Sequence, residues 1–230
     1  MVVAIFFLTI LSFSSALPAP RLSWDEIKRQ HVYVDPISNY TISQPVDERI
    51  IGGNETEPHS ISYQVALLVN GRSLCGGSLI SLNFVLTAAH CTISASYVEL
   101  VFGAHNILVN ESTQLRVTSS SIINHPDFNS SNYNNDIALI KTPVPIVPND
   151  HIKIIDLAPA DAGRYIEYIA TLSGWGTTSD SNSTIPSGLH EVRLLVISNV
   201  YCEAIYGTDI VQPSTLCTQY GERSFVLTVL

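Results

Sequence analysis

The sequence predicts an all-β fold, a sandwich or a barrel, on three observations. Short β-prone runs recur from residue 50 onward and are separated by Gly, Asn, Pro and Ser. Only one helix is predicted, at residues 199–206, and no heptad pattern or repeat of fixed period is present. Hydrophobic residues make up 46% of the chain and charged residues 13%, which is enough apolar material for a sizeable core. The predicted strand segments are residues 62–69, 78–87, 98–102, 114–123, 136–141, 167–172 and 191–198.

The charge of the chain bears on its choice of partner. The 230 residues carry a formal net charge of −9 with eleven Lys and Arg, and no polybasic run occurs. Because nucleic acids and anionic membrane surfaces attract positive charge, neither is expected as a partner.

The first 16 residues are typical of a signal peptide. Residues 2–11 form an apolar stretch, and the small residues Ser14, Ser15 and Ala16 precede the expected cut. A buried strand or a short membrane anchor is the alternative. A membrane-spanning helix needs about 20 apolar residues, and Pro18 and Pro20 end this run early. The chain is therefore expected to be secreted into the extracellular space.

The next segment, residues 17–49, is polar and has no sustained periodicity. It contains four prolines, and few apolar residues are available to form a core of its own. A pro-segment or linker is therefore favoured over a small extra subdomain. Residues 50–230 are expected to form the principal domain.

The glycosylation sequons and the even number of cysteines agree with a secreted protein. Four cysteines suggest two disulfides, for which three pairings exist. Zinc binding is the alternative, but no Cys-x-x-Cys spacing occurs, so no metal site is expected. The four cysteines are Cys75, Cys91, Cys202 and Cys217, and the candidate glycosylation sites are Asn39, Asn54, Asn110, Asn129 and Asn182.

Arg49 directly precedes Ile50, Ile51 and two glycines. An endopeptidase that cuts after Arg49 would release an isoleucine amino terminus, and the glycines would leave that terminus free to move. A loop before a strand is the alternative for this pattern taken alone.

Two further segments carry residues suited to acid–base chemistry. His90 follows a β-prone run and two alanines and precedes Cys91, and a histidine can act as a general base near neutral pH. Asp136 begins an apolar run, where a partly buried carboxylate could accept a hydrogen bond from an imidazole. Taken alone, His90 could instead be a hydrogen-bonded histidine of the core or the surface, and Asp136 could be an aspartate that caps a strand.

Together these segments resemble the chymotrypsin/trypsin-like serine proteases. The resemblance rests on IIGG at 50–53, LTAAHC at 86–91 and NNDIALI at 134–140, in that order, with CGGSLI at 75–80 and SGWG at 173–176. It extends from Ile50 to about Gly221, and the arthropod digestive members are the most similar in character.

The resemblance implies a fold of two packed antiparallel β-barrels and an acyl-enzyme mechanism. His90 would be the general base and Asp136 the carboxylate that orients it. Cleavage between Arg49 and Ile50 by an activating protease would convert a zymogen to the enzyme. Protein or peptide substrates, a monomeric state and no cofactor are expected. The implied disulfides are Cys75–Cys91 and Cys202–Cys217.

One family feature is not expected here. Members that bind calcium do so in a surface loop that corresponds to residues 104–114. Ala104 and Gln114 stand where such members have glutamates, which leaves Glu111. Calcium takes six to eight oxygen ligands, several of them anionic, so no calcium site is expected.

The family's nucleophile lies in a Gly-Asp-Ser-Gly-Gly segment, which these 230 residues do not contain. Ser224 lies in the corresponding region but is followed by Phe225 and Val226 instead of glycines. The domain is therefore expected to be truncated at its C-terminus, with an incomplete second barrel and no activity in this chain as written. A non-catalytic homologue acting in binding or regulation is the alternative function. A purely structural β-protein would leave the ordered motifs unexplained.

Overall fold

The computed structural model describes residues 53–159, 165–176, 185–220 and 223–228. The predicted signal peptide and pro-segment, Arg49, Ile50 and the sequons at Asn39 and Asn182 lie outside the described residues.

The described residues form twelve strands and two short helices. The helices are α1 (Ala89–Thr92) and α2 (Asn199–Tyr206). The strands are β1 (Asn54–Glu55), β2 (Gln64–Val69), β3 (Ser73–Ser81), β4 (Phe84–Thr87), β5 (Val98–Phe102), β6 (Leu115–Ser119), β7 (Ile122–Asn124), β8 (Ala138–Lys141), β9 (Ile169–Gly174), β10 (His190–Ile197), β11 (Thr215–Tyr220) and β12 (Arg223–Thr228).

The first sheet has seven antiparallel strands in the order β6-β5-β2-β3-β4-β8-β7. It curls until its two ends meet. The hydroxyl of Ser119, at the end of β6, donates to the carbonyl of Lys141 in β8 at 2.6 Å, and the Lys141 N–H donates to the Ser121 carbonyl at 2.9 Å. The curled sheet therefore has the form of a barrel.

Strand β2 is buried on both of its faces and contributes to two hydrophobic clusters. Successive side chains of a strand point to opposite faces. Val65 and Leu67 therefore join the barrel interior with Leu100 and Phe102, all at most 1% exposed. Ala66, from the other face, belongs to a second cluster outside the barrel, together with Val101, Ala104, Trp175 and Leu189. A strand buried on both faces holds the barrel against the second sheet.

The second sheet consists of β9, β10, β11, β12 and β1. Strand β10 pairs with β9 along one edge and with β1 and β11 along the other. The disulfide Cys202–Cys217 joins α2 to β11. The Asn199 amide donates to the Gln212 and Thr215 carbonyls at 3.0 Å each, which fixes the start of the helix.

The predicted fold class is confirmed, and five described strands in the second sheet are compatible with an incomplete barrel. Several local differences remain. The predicted segment 78–87 is a hairpin of β3 and β4, because residues 82–83 turn the chain. The predicted segment 114–123 is divided into β6 and β7. Helix α1, which is one turn long, and the strands β1, β11 and β12 were not predicted.

No helix among the described residues is long and apolar enough to cross a membrane.

Candidate active site

His90 lies on α1, immediately after β4. The two alanines before it are buried, at 2% and 0% exposure, so the chain approaches the barrel closely at this point. Thr87, the last residue of β4, donates from its hydroxyl to the Gly76 carbonyl at 2.7 Å. The disulfide Cys75–Cys91 ties the helix to β3. Small residues, a buried hydrogen bond and a covalent link therefore position His90.

Strand register brings Asp136 to the same place. Strands β4 and β8 are antiparallel neighbours, and Thr87 is paired with Ala138. His90 follows Thr87 by three residues and Asp136 precedes Ala138 by two, so both lie beyond the same end of this strand pair. Residues 46 apart in the chain thus become neighbours.

Asp136 uses both carboxylate oxygens on His90. Its Oδ2 lies 2.6 Å from His90 Nδ1, and its Oδ1 accepts the His90 backbone N–H at 2.8 Å. Asp136 is fully buried, whereas the His90 side chain is 17% exposed. A carboxylate oxygen accepts, so Nδ1 carries the proton and Nε2 keeps its lone pair. The ring is held in the tautomer that a general base needs.

The outer surroundings of the ring are a disulfide and an aromatic side chain. Nε2 lies 3.4 Å from Cys91 Sγ. The Tyr133 ring meets the imidazole edge-on, with the two centroids 6.1 Å apart. Tyr133 and Asn135 both have φ of 57°, a left-handed conformation that non-glycine residues seldom adopt. For Tyr133, which packs on the His90 ring, this conformation is unusual, whereas an asparagine adopts it readily.

The other predicted site residues are spread over the surface and the second sheet. The sequons at Asn54, Asn110 and Asn129 have exposed asparagines. Ser224 lies in β12, paired with Gln219 of β11. The two disulfides, Cys75–Cys91 and Cys202–Cys217, are the pairs that the family resemblance implies, and no described cysteine is free.

The loop 104–114 is organised around a side-chain amide. Gln114 Nε2 donates to Glu111 Oε2 at 3.0 Å and to the carbonyls of Asn106 at 2.9 Å and Val109 at 3.0 Å. Burial raises the pKa of Glu111, but the hydrogen bonds from Gln114 and from the backbone N–H groups of His105 and Asn106 outweigh it, so this pKa lies below its usual range. One neutral donor therefore bridges three oxygens of this loop, of which the Glu111 carboxylate also accepts two backbone N–H groups.

Replacing Gln114 by Leu should lower the free energy of unfolding by about 1–2 kcal/mol, because three acceptors lose their shared donor. Urea unfolding followed by tryptophan fluorescence measures this. Gln212→Leu is the matched control, since the Gln212 amide makes one exposed hydrogen bond, to the Thr208 carbonyl. Equal unfolding midpoints for the two variants would show that the Gln114 contacts do not order the loop.

Sequence reasoning missed a histidine cluster beside this loop. The His59 and His151 rings are 4.5 Å apart, and His105 Nε2 lies 2.9 Å from Glu55 Oε1. Burial lowers the pKa of His59 and the nearby His151 lowers it further, while Glu111 acts in the opposite direction. Trp175, which the SGWG segment had singled out, donates from Nε1 to the His105 carbonyl at 2.9 Å. No sequence signal links these residues, because they come from four separate segments.

The comparisons with known proteins fit this geometry. The family profile described as Trypsin matches residues 50–225. Brachyurin from Leptuca pugilator is 40% identical over 168 residues, covering 73% of each chain. Trypsin from Sus scrofa is 39% identical over 71% of this chain and 69% of its own length. Chymotrypsin from Phaedon cochleariae is 34% identical over 85% and 71%.

A solved structure described as GrC has a similar fold. Its TM-score is 0.69 at 32% sequence identity, and the likeness covers 76% of each chain.

Proposed function

The chain belongs to the trypsin family of serine endopeptidases, and from this premise we propose that it is the secreted zymogen of such an enzyme, in which His90 is the general base and Asp136 orients it. Trypsin-like proteases hydrolyse peptide bonds in protein or peptide substrates. The observation that carries the proposal is the 2.6 Å contact between His90 Nδ1 and a fully buried Asp136 carboxylate.

The geometry supports a defined proton path. His90 Nε2 would take the proton of a serine hydroxyl as that oxygen attacks the peptide carbonyl, and would later give it to the departing amine. The imidazolium formed between these steps would be stabilised by Asp136, which is already bound through both oxygens. Because Asp136 is shielded from water, this electrostatic stabilisation is stronger than it would be at the surface.

The activation route forms part of the proposal. Residues 1–16 act as the signal peptide and residues 17–49 as the pro-segment, which a second protease removes by cutting after Arg49. The new terminus at Ile50 would then move into the domain. Exposed asparagines at three described sequons support passage through the secretory route.

Residues 1–230 hold the base and its orienting carboxylate, but not a recognisable nucleophile segment. We therefore expect the 230-residue chain, after cleavage at Arg49, to show neither labelling by a serine-directed phosphonate nor turnover of peptide esters and amides. Intact-protein mass spectrometry measures the label, and pig trypsin treated alongside serves as the positive control. A stoichiometric adduct on Ser224 or another serine of this chain would contradict the expectation and identify the nucleophile.

A further inference from the structure

We propose that reduction of the Cys75–Cys91 disulfide opens a zinc site made of the two cysteine sulfurs and His90 Nε2. Within the part of the chain that the structure describes, these three residues are the one group of three or more His, Cys, Asp or Glu whose ligand atoms all lie within 4.8 Å of one another. Two thiolates and an imidazole are a ligand set that suits Zn²⁺. In the oxidised protein both sulfurs are bonded to each other, so the site is closed.

The spacing of the ligand atoms already fits a metal. In a tetrahedral zinc site with Zn–N of about 2.0 Å and Zn–S of about 2.3 Å, a nitrogen and a sulfur ligand lie about 3.5 Å apart. His90 Nε2 and Cys91 Sγ are 3.4 Å apart in the structure. The Cys75 sulfur must then move to about 3.8 Å from that of Cys91. With 6.3 Å between their Cα atoms, rotation about the side-chain bonds achieves this.

The outer partner of the histidine ligand is also in place. A metal-binding histidine almost always donates its other ring N–H to a carboxylate or carbonyl, which fixes the tautomer and makes the ligand more basic. Asp136 Oδ2 holds His90 Nδ1 at 2.6 Å and leaves the lone pair on Nε2, the atom that faces the sulfurs. The partial exposure of the His90 side chain gives a metal ion and its fourth ligand, a water, a way in.

Opening the site takes two electrons and two protons. A water-soluble phosphine reduces the disulfide to two thiols, takes up the oxygen of one water molecule as its oxide, and leaves the two protons of that water on the sulfurs. Binding of Zn²⁺ then releases those two thiol protons, because thiolates are the ligands. Neutral His90 gives its lone pair to the metal and releases no proton.

Occupation of this site has a consequence for the proposed chemistry. The metal takes the Nε2 lone pair that a general base would use, so a zinc-loaded chain cannot accept a proton at His90. Reduction followed by zinc binding would therefore block the base, and a chelator that removes the Zn²⁺ would free the Nε2 lone pair again. The zinc site itself does not depend on the proposed function, since it rests on the distances alone.

The test uses the full 230-residue chain and Co²⁺ as the visible substitute for Zn²⁺. We expect the phosphine-reduced chain to bind one equivalent of Co²⁺ with a thiolate-to-cobalt charge-transfer band in the near ultraviolet, and Zn²⁺ to displace it. The oxidised chain should show no band. Asp136→Asn should weaken zinc affinity about 10- to 100-fold, as expected for loss of an outer partner.

The second disulfide provides the matched control. Cys202 and Cys217 are fully buried, and the hydrophobic residues that surround them are Val211, Ile197 and Tyr206. The Cys202→Ala/Cys217→Ala chain should keep the cobalt band after reduction, and the Cys75→Ser/Cys91→Ser chain should lose it. His90→Ala, which keeps all four cysteines, should lose at least the nitrogen ligand and bind more weakly.

Each remaining outcome counts against the proposal or for it. A band that persists in Cys75→Ser/Cys91→Ser, or equal affinity in His90→Ala and the parent chain, overturns it. If reduction unfolds the chain, circular dichroism on adding Zn²⁺ decides: recovery of the β-sheet signal in the Cys202→Ala/Cys217→Ala chain supports the site, because metal binding drives folding. Absence of recovery and of a band overturns it.

Discussion

Replacing Asp136 by Asn is expected to lower kcat/KM about 10⁴-fold in a chimaera whose segment after Cys217 carries the family's Gly-Asp-Ser-Gly-Gly motif. In the parent protein Asp136 accepts from two donors, the backbone N–H and the Nδ1–H of His90. An asparagine offers one acceptor and one NH₂ group, so it cannot accept from both. If its NH₂ faces Nδ1, the imidazole must accept there and carry its proton on Nε2, where a base needs a lone pair.

The measurement is the hydrolysis of a peptide amide by the activated chimaera. Asp127→Asn is the matched control: it removes an exposed carboxylate nine residues away in the same loop region and should leave kcat/KM within about twofold. Raising the pH should not rescue Asp136→Asn fully, because its tautomer is wrong at every pH. Retention of more than a tenth of the parent activity would show that Asp136 does not orient His90.

The second large effect concerns stability. Leu100→Ala should lower the free energy of unfolding by about 2–5 kcal/mol, because it removes a fully buried side chain and leaves a cavity in the barrel. Leu108→Ala makes the same chemical change at a side chain that is 64% exposed, so about 0.5 kcal/mol or less is expected. Urea unfolding with a common m value compares the two.

A small effect at Leu100 would mean that the barrel closes over the gap. A large effect at Leu108 would place that side chain in a contact that the fold does not show. Both variants keep the charge and the disulfides of the chain unchanged, so burial is the main difference between them.

The sequence by itself predicted the class of the fold and, through the resemblance to the family, His90 and Asp136 as the candidate site residues. The short β-prone runs indicate strands from local sequence, since the side chains of a strand alternate between its two faces. Strand β5 at Val98–Phe102 and helix α2 at Asn199–Tyr206 have the predicted limits. The ordered segments around Ile50, His90 and Asp136 were specific enough to predict the family. These signals lie within single stretches of chain, where one sequence is sufficient.

Only the tertiary structure decided which distant residues meet. The Thr87–Ala138 register sets both oxygens of Asp136 against His90, and no local pattern carries a register between strands so far apart in the chain. Folding likewise brings together three other sets of residues. They are the Gln114 amide with the oxygens of its loop, the His59–His151 pair, and the ligand atoms of Cys75, His90 and Cys91. Such contacts join residues that are distant in sequence, so they depend on the tertiary fold. Their energies depend on interatomic distances, which residue type alone does not determine.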